Sequence, residues 1–187
     1  MTEFALASDG VKLAFERAGS GIPVVLVHGF GSSRQQNWKS TGWYESLAGA
    51  GLGVLAMDCR GHGQSDKPHE PSFYGHPRMA EDIATVMDVA GVESAPLVGY
   101  SMGGFLILRL ASSHPARAVK LALAGMGEYY LRGARIADAD SRHRLAEALL
   151  TDDKDSITDP RGRMFRAFAD QPGKDRLALA ACMQAMS

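Results

Sequence analysis

Four apolar runs of the same kind punctuate the chain up to residue 125. Val24 to Val27 in PVVLVHGFG, GVLAM up to Asp58, APLVGY up to Tyr100 and AVKLALAG up to Gly125 are short and almost free of charge. A run of this length without alternation marks a strand covered on both faces, as in a parallel sheet. Between the runs the spacing changes to threes and fours. Met79, Ile83, Met87 and Ala90, with Val86 alongside, predict one face of an amphipathic helix. Strands alternating with helices predict right-handed βαβ units and a mostly parallel sheet. Ahead of them, TEFALA and VKLAFE flank Asp9-Gly10, a turn pair that predicts a hairpin of two antiparallel strands.

Past Tyr130 the pattern is helical only, from RIADADSRHRLAEALL to the end, with turn signals at Thr158-Asp159-Pro160 and Gln171-Pro172-Gly173. Residues 1–130 are therefore expected to form an α/β core and residues 131–187 a helical lid or cap. The lid segments GRMFRAFAD and DRLALAACMQAMS put Met164, Phe165, Phe168, Leu177, Met183 and Met186 on apolar faces, for packing or for contact with an apolar substrate. Arg161, Arg163 and Arg166 are candidates to hold a substrate carboxylate or, more simply, surface charges.

Composition narrows the function classes. With 187 residues, 45% of them hydrophobic and 22% charged, the chain reads as one globular domain with enough apolar material for a core. A formal net charge of −1 argues against nucleic acid and acidic membrane surfaces, which call for an excess of Lys and Arg. The N-terminus has neither a basic start nor a long apolar run, and no stretch of about 18 apolar residues occurs. A cytoplasmic protein is expected. Cys59 and Cys182 read as two reduced thiols, with neither disulfide nor metal-ligand spacing.

The candidate chemistry centres on VGYSMGGF. In Gly99-Tyr100-Ser101-Met102-Gly103 the glycines two places either side of Ser101 allow a tight strand-to-helix turn that lifts the hydroxyl clear of the sheet. Two other unusual stretches end their own strands at the same sheet edge, where open α/β sheets bind ligands. His28-Gly29-Phe30-Gly31 lets the backbone turn sharply, so that the Phe30 and Met102 N–H groups can address one developing oxyanion, aided by the helix dipole after Ser101. Asp58-Cys59-Arg60-Gly61-His62-Gly63-Gln64-Ser65 is expected to fix a loop beside the pocket.

HGF, DCRGHGQSD and GYSMGG, in this order and at these separations, resemble the α/β-hydrolase superfamily, of the small kind that includes esterases, enol-lactonases and cofactor-free haloperoxidases. The resemblance runs from Phe4 to Gly127. It implies an eight-stranded sheet with a cap inserted after the sixth strand, Ser101 as nucleophile, and Phe30 and Met102 as oxyanion donors. His28, Gly29, Tyr100 and Gly103 then support the pocket. Haloalkane dehalogenases and epoxide hydrolases of this fold carry an aspartate at the nucleophile position, so Ser101 points away from their chemistry.

A serine hydroxyl needs a base, and the base needs a third group to hold it. The resemblance puts both after the seventh and eighth strands, for which no apolar run remains. His114 lies at the far end of the helix that leaves Ser101, about 20 Å away at ~1.5 Å per residue. His143 sits in a charged lid helix, Glu128 is offset from the position some relatives use, and it reads with Tyr129 and Tyr130 as the mouth of the lid. The chain is expected to lack those two strands, leaving Leu121 to Ala124 as an apolar sheet edge prone to self-association.

The expected function is hydrolysis of a small apolar carboxylic ester or lactone through an acyl-enzyme on Ser101. A perhydrolase, haloperoxidase or carbon–carbon hydrolase shares these motifs. A non-catalytic binding protein or inactive fragment is the reading from a different class. No cofactor or metal is implied, because dinucleotide, Walker and metal-ligand patterns are absent.

Overall fold

A computed structural model describes residues 1–127 and 139–186. Its sheet has six strands: β1 (Thr2–Leu6), β2 (Lys12–Ala18), β3 (Pro23–Val27), β4 (Gly53–Met57), β5 (Ala95–Tyr100) and β6 (Ala118–Ala124). They lie in the order β1-β2-β4-β3-β5-β6. β1 and β2 pair antiparallel and β2 joins β4 antiparallel, whereas β3 pairs in parallel with β4 and with β5, and β5 with β6. All four apolar runs are these parallel strands, and β4 is buried along its whole length. The expected hairpin forms, with a longer connection than a two-residue turn. Ala7 N–H donates to the Val11 carbonyl and Gly10 N–H to the Ala7 carbonyl, with Gly10 at φ 86°.

Among the described residues the α-helices are α1 (Trp43–Gly49), α2 (His76–Val89), α3 (Met102–Ser113), α4 (Ala139–Leu150), α5 (Pro160–Ala169) and α6 (Arg176–Ala185). The predicted apolar face of α2 is real: Met79, Ile83, Val86 and Met87 are buried, and Ala90 caps the C-terminus. With Leu106, Ile107 and Leu110 of α3 they cover one sheet face, where Leu13, Phe15, Val25, Val27, Leu55, Met57 and Leu97 point. The other face holds Val24, Leu26, Val54, Ala56 and Val98 against Trp38 and Tyr44. Trp38 belongs to a short π-helical turn, Gln35–Lys39, which together with α1 was not foreseen in the sequence.

The segment after β6 builds its own cluster from Leu145, Ala146, Leu149, Ala169, Leu179, Ala180 and Met183. At its end Ala181 and Cys182 join the main core. Asp159 and Asp175 start α5 and α6 by accepting backbone N–H bonds at the N-caps, as turn-forming carboxylates do.

β6 ends the sheet among the described residues. Val119, Leu121 and Leu123 remain 58%, 39% and 38% exposed. Such an apolar edge templates aggregation. Leu121→Lys combined with Leu123→Lys is expected to cost less than about 1 kcal/mol of stability while raising the concentration at which light scattering sets in. An unchanged scattering threshold would show that association occurs elsewhere.

Candidate active site

Ser101 occupies the turn between β5 and α3 at φ 50°, ψ −113°, and among the described residues it alone combines a side chain with positive φ. Such a backbone costs about 1–3 kcal/mol and persists only where its surroundings over-determine it. The surroundings do so here. Ser101 N–H donates to the Ala124 carbonyl of β6 at 2.8 Å, while the Ser101 carbonyl takes the Gly104 N–H at 2.9 Å.

The two glycines flanking the turn act through close approach. A Cβ at Gly99 would stand 2.5 Å from the Gly103 carbonyl carbon and oxygen. One at Gly103 would overlap the Val27 carbonyl oxygen and lie 2.8 Å from that of His28. The N-terminus of α3 is thereby seated on the end of β3, and Met102 N–H is brought beside the turn that follows His28. Gly29 packs against Tyr100 in the same way, since a Cβ there would sit 2.9 Å from the Tyr100 ring. Neither Phe30 N–H nor Met102 N–H has an acceptor among the described residues.

His28 ties the site to its neighbour strand. Its Nδ1–H donates to the Gly29 carbonyl at 2.8 Å, and its Nε2 accepts the Cys59 N–H at 3.0 Å. The ring stacks obliquely on His62, which donates from Nδ1 to the Arg60 carbonyl at 2.8 Å. Burial holds both histidines neutral, lowering His28 to about 4 and His62 to about 3. The loop from Asp58 to Ser65, expected from its sequence to be a fixed loop, is held by buried charge. Asp58 accepts Arg34 N–H at 2.7 Å and Gln64 N–H at 2.8 Å and pairs with the Arg34 guanidinium, and Arg60 holds Asp82 through two bonds of 2.6 Å. The contributions of Arg34 and Asp82 were not visible in the sequence.

The helices that follow β6 reach this site through aromatic rings. Phe165 of α5 packs on Phe30 with centroids 5.8 Å apart, and Phe168 lies so close to Gly31 that a Cβ there would be 2.6 Å from its ring. Of the other apolar lid positions, Met183 is buried within the lid cluster, Met186 packs against the main core, and Met164 and Leu177 face outward. Of the candidate arginines, Arg166 is buried on the Ala148 and Thr151 carbonyls and Asp170, Arg163 donates to the Ile157 carbonyl, and Arg161 is exposed. Arg163 and Arg166 are therefore not left as carboxylate clamps.

Five histidines have their bonds elsewhere. Besides His28 and His62, His69 bonds Asp175 at 3.0 Å, His114 pairs with Glu81 at 2.9 Å and His143 with Glu147 at 3.2 Å. His76 stacks on Phe105, one turn beyond Ser101 on α3. Glu128, Tyr129 and Tyr130 lie outside the described residues. No group of His, Cys, Asp or Glu suited to a metal occurs among the described residues, and none of their helices is long and apolar enough to cross a membrane.

The family model for the α/β-hydrolase fold matches residues 22–160, spanning β3 to the start of α5. The chain belongs to the α/β-hydrolase family. It is 35% identical over 115 residues to bifunctional epoxide hydrolase 2 of Sus scrofa, covering 61% of this chain and 20% of that protein. It is 39% identical over 145 residues to the dihydrolipoyllysine-residue acetyltransferase component of the acetoin cleaving system of Cupriavidus necator, covering 73% of this chain and 37% of that one. Among solved structures, a hydrolase from Pseudomonas aeruginosa PA01 superposes with TM-score 0.78 at 26% identity, covering 98% of this chain and 71% of that chain. An esterase from Exiguobacterium antarcticum does so with TM-score 0.75 at 25% identity, covering 99% and 73%. The chain thus spans about a fifth to two fifths of those two curated relatives' length.

The buried, neutral histidines are expected to make this fold acid-sensitive. Both folded pKa values lie below the ordinary value of about 6.5, so the unfolded chain binds more protons as pH falls below that point. Their contribution is complete above pH ~6.5 and is lost towards pH ~4, at about 1.4 kcal/mol per pH unit for each histidine. Urea midpoints measured from pH 7.5 to 4.5 are expected to fall accordingly, and His62→Gln to flatten the slope. An identical slope in the variant would contradict this origin.

Proposed function

We propose that the protein is a serine hydrolase of small carboxylic esters or lactones that works through an acyl-enzyme on Ser101. The observation that carries this reading is the strained Ser101 turn seated between β5 and α3, with two unbonded N–H groups, of Phe30 and Met102, beside it. Ser101 Oγ attacks the carbonyl carbon, and the carbonyl oxygen, becoming anionic, moves into hydrogen bonds from Phe30 and Met102 N–H. The positive end of α3 favours the same charge. The serine proton passes to a histidine held by an acid and from there to the leaving alcohol; water then cleaves the acyl-enzyme by the same route. The five histidines with bonds elsewhere do not serve, and the reading needs a base and an acid that they do not supply.

Epoxide hydrolases stand among the relatives, but the residue at the elbow here is a serine, whose attack on a carbonyl is the chemistry the oxyanion donors assist. Phe165 and Phe168 over the oxyanion turn favour an apolar acyl or alkyl group. The unpaired buried thiols Cys59 and Cys182 fit a reducing cytoplasm.

Rapid mixing of the full reading-frame product with a p-nitrophenyl ester tests the mechanism. A burst of p-nitrophenol stoichiometric with enzyme, followed by a slower steady state, is expected. Steady release without a burst, and without an acylated Ser101 peptide after acid quench, would leave the second reading. That reading is a binding protein on a hydrolase fold, and the engagement of His28, His62, His69, His114 and His143 away from Ser101 is the observation in its favour.

A further inference from the structure

Lys174 lies in the lid loop between α5 and α6, and its ammonium is buried with no hydrogen-bond partner among the described residues. It sits 3.0 Å from the centroid of the Phe168 ring. That ring is the one that closes on Gly31, next to the Phe30 N–H. The Phe168 ring therefore touches both the shielded ammonium of a half-buried lysine and the turn at Gly31.

An ammonium presents three donors, and a ring face balances part of its charge while accepting no ordinary hydrogen bond. Carboxylates close by in the chain do not fill the gap. Asp175 Oδ1 accepts the Leu177 and Ala178 N–H groups at 3.0 Å, and its Oδ2 holds His69. Asp170 is shared by Lys154 and Arg166. Burial draws Lys174 down to about 8, with no carboxylate opposing the shift, and leaves it protonated at neutral pH. A buried cation without a hydrogen-bonding counter-charge is unfavourable until an anion arrives.

We propose that Lys174 is the anion-recognition residue of the site, taking a carboxylate carried by the ester or lactone substrate at the end remote from the reacting carbonyl. One compact positive charge matches a monoanionic carboxylate, whereas a phosphate dianion calls for several donors. Of the arginines marked by the sequence, Arg163 and Arg166 are engaged elsewhere and Arg161 is exposed, and Lys174, flanked by Gly173 and Asp175, carries no pattern that would have marked it. The apolar substrate then acquires polarity at its far end, with its alkyl part against Phe165 and Phe168.

The inference rests on the reading of Ser101 as nucleophile, and the test separates the two. Full reading-frame protein carrying Ser101→Ala, so that ester is not consumed, is titrated calorimetrically with monomethyl glutarate and with dimethyl glutarate. The monoanion is expected to bind about tenfold or more tightly than the neutral diester. Lys174→Met and Lys174→Gln should abolish that preference and Lys174→Arg should keep most of it. Equal binding of the two probes, no measurable binding of the monoanion, or a preference that survives both neutral variants overturns the proposal. Fluorophosphonate labelling of the Ser101 protein is read separately. Labelling without a Lys174-dependent preference removes the inference alone, and a Lys174-dependent preference without labelling removes the nucleophile and leaves an anion site.

Discussion

On the proposed mechanism, Ser101→Ala is expected to lower the turnover of a short-chain p-nitrophenyl ester by about a thousandfold or more while the melting temperature stays within a few degrees of the parent. The size follows from covalent catalysis, because without Oγ the base and the oxyanion donors have no nucleophile to serve and only residual binding effects remain. The unchanged stability follows from the structure. Among the described residues the hydroxyl makes no hydrogen bond that holds the turn, which is fixed by backbone bonds to Ala124 and Gly104 and by the glycines that flank it. A loss below about tenfold would mean that another residue carries the chemistry.

Gly103→Val is the substitution expected to damage the fold most. A side chain there meets the carbonyl oxygen of Val27 and that of His28, both backbone atoms of β3 or its turn and neither free to step aside. The helix must lift from the strand, at a cost of about 3 kcal/mol or more from overpacking. The same displacement carries Met102 N–H away from Phe30 N–H, so protein that still folds should lose its reactivity towards acylating reagents. Gly49→Ala is the matched control. It ends α1, a Cβ there meets nothing within 4 Å, and the urea midpoint should be unchanged or slightly raised. Equal midpoints for the two variants would show that the elbow is less tightly packed than its geometry states.

Which parts of this molecule could be read from its sequence follows from how local each signal is. Val24 to Val27, Gly53 to Met57 and Ala95 to Tyr100 announce themselves because a strand buried on both faces needs an unbroken apolar run. The Ser101 turn was legible because Gly99 and Gly103 are required at fixed offsets from the residue they serve. The π-helical turn around Trp38 was not, since its residues show no helical spacing of apolar positions and it is held by packing of Trp38 between Val24, Leu26 and Tyr44. The ion pairs of Arg34 with Asp58 and Arg60 with Asp82 join residues more than twenty positions apart, so no window of sequence contains both partners. Lys174 is the extreme case: its ammonium lies on the ring of Phe168 in the preceding helix, and that ring in turn packs on Gly31, far away in the sequence.

The hairpin loop shows the same limit on a smaller scale. Asp9-Gly10 marked the reversal correctly, but Asp9 is drawn off to Arg60 and Arg78, and the connection widens into the loop closed by Ala7 and Val11. Distant charge thus adjusted what local turn chemistry had set.

Labelling of the full reading-frame protein with a fluorophosphonate, followed by mapping of the modified peptide, puts the nucleophile itself in view. The expected result is a single adduct on Ser101 that forms at neutral pH, fades as the histidine base is protonated below pH ~6, and is absent from Ser101→Ala. A protein that stays unlabelled, or an adduct on any other residue, would contradict the assignment of Ser101 as the attacking group.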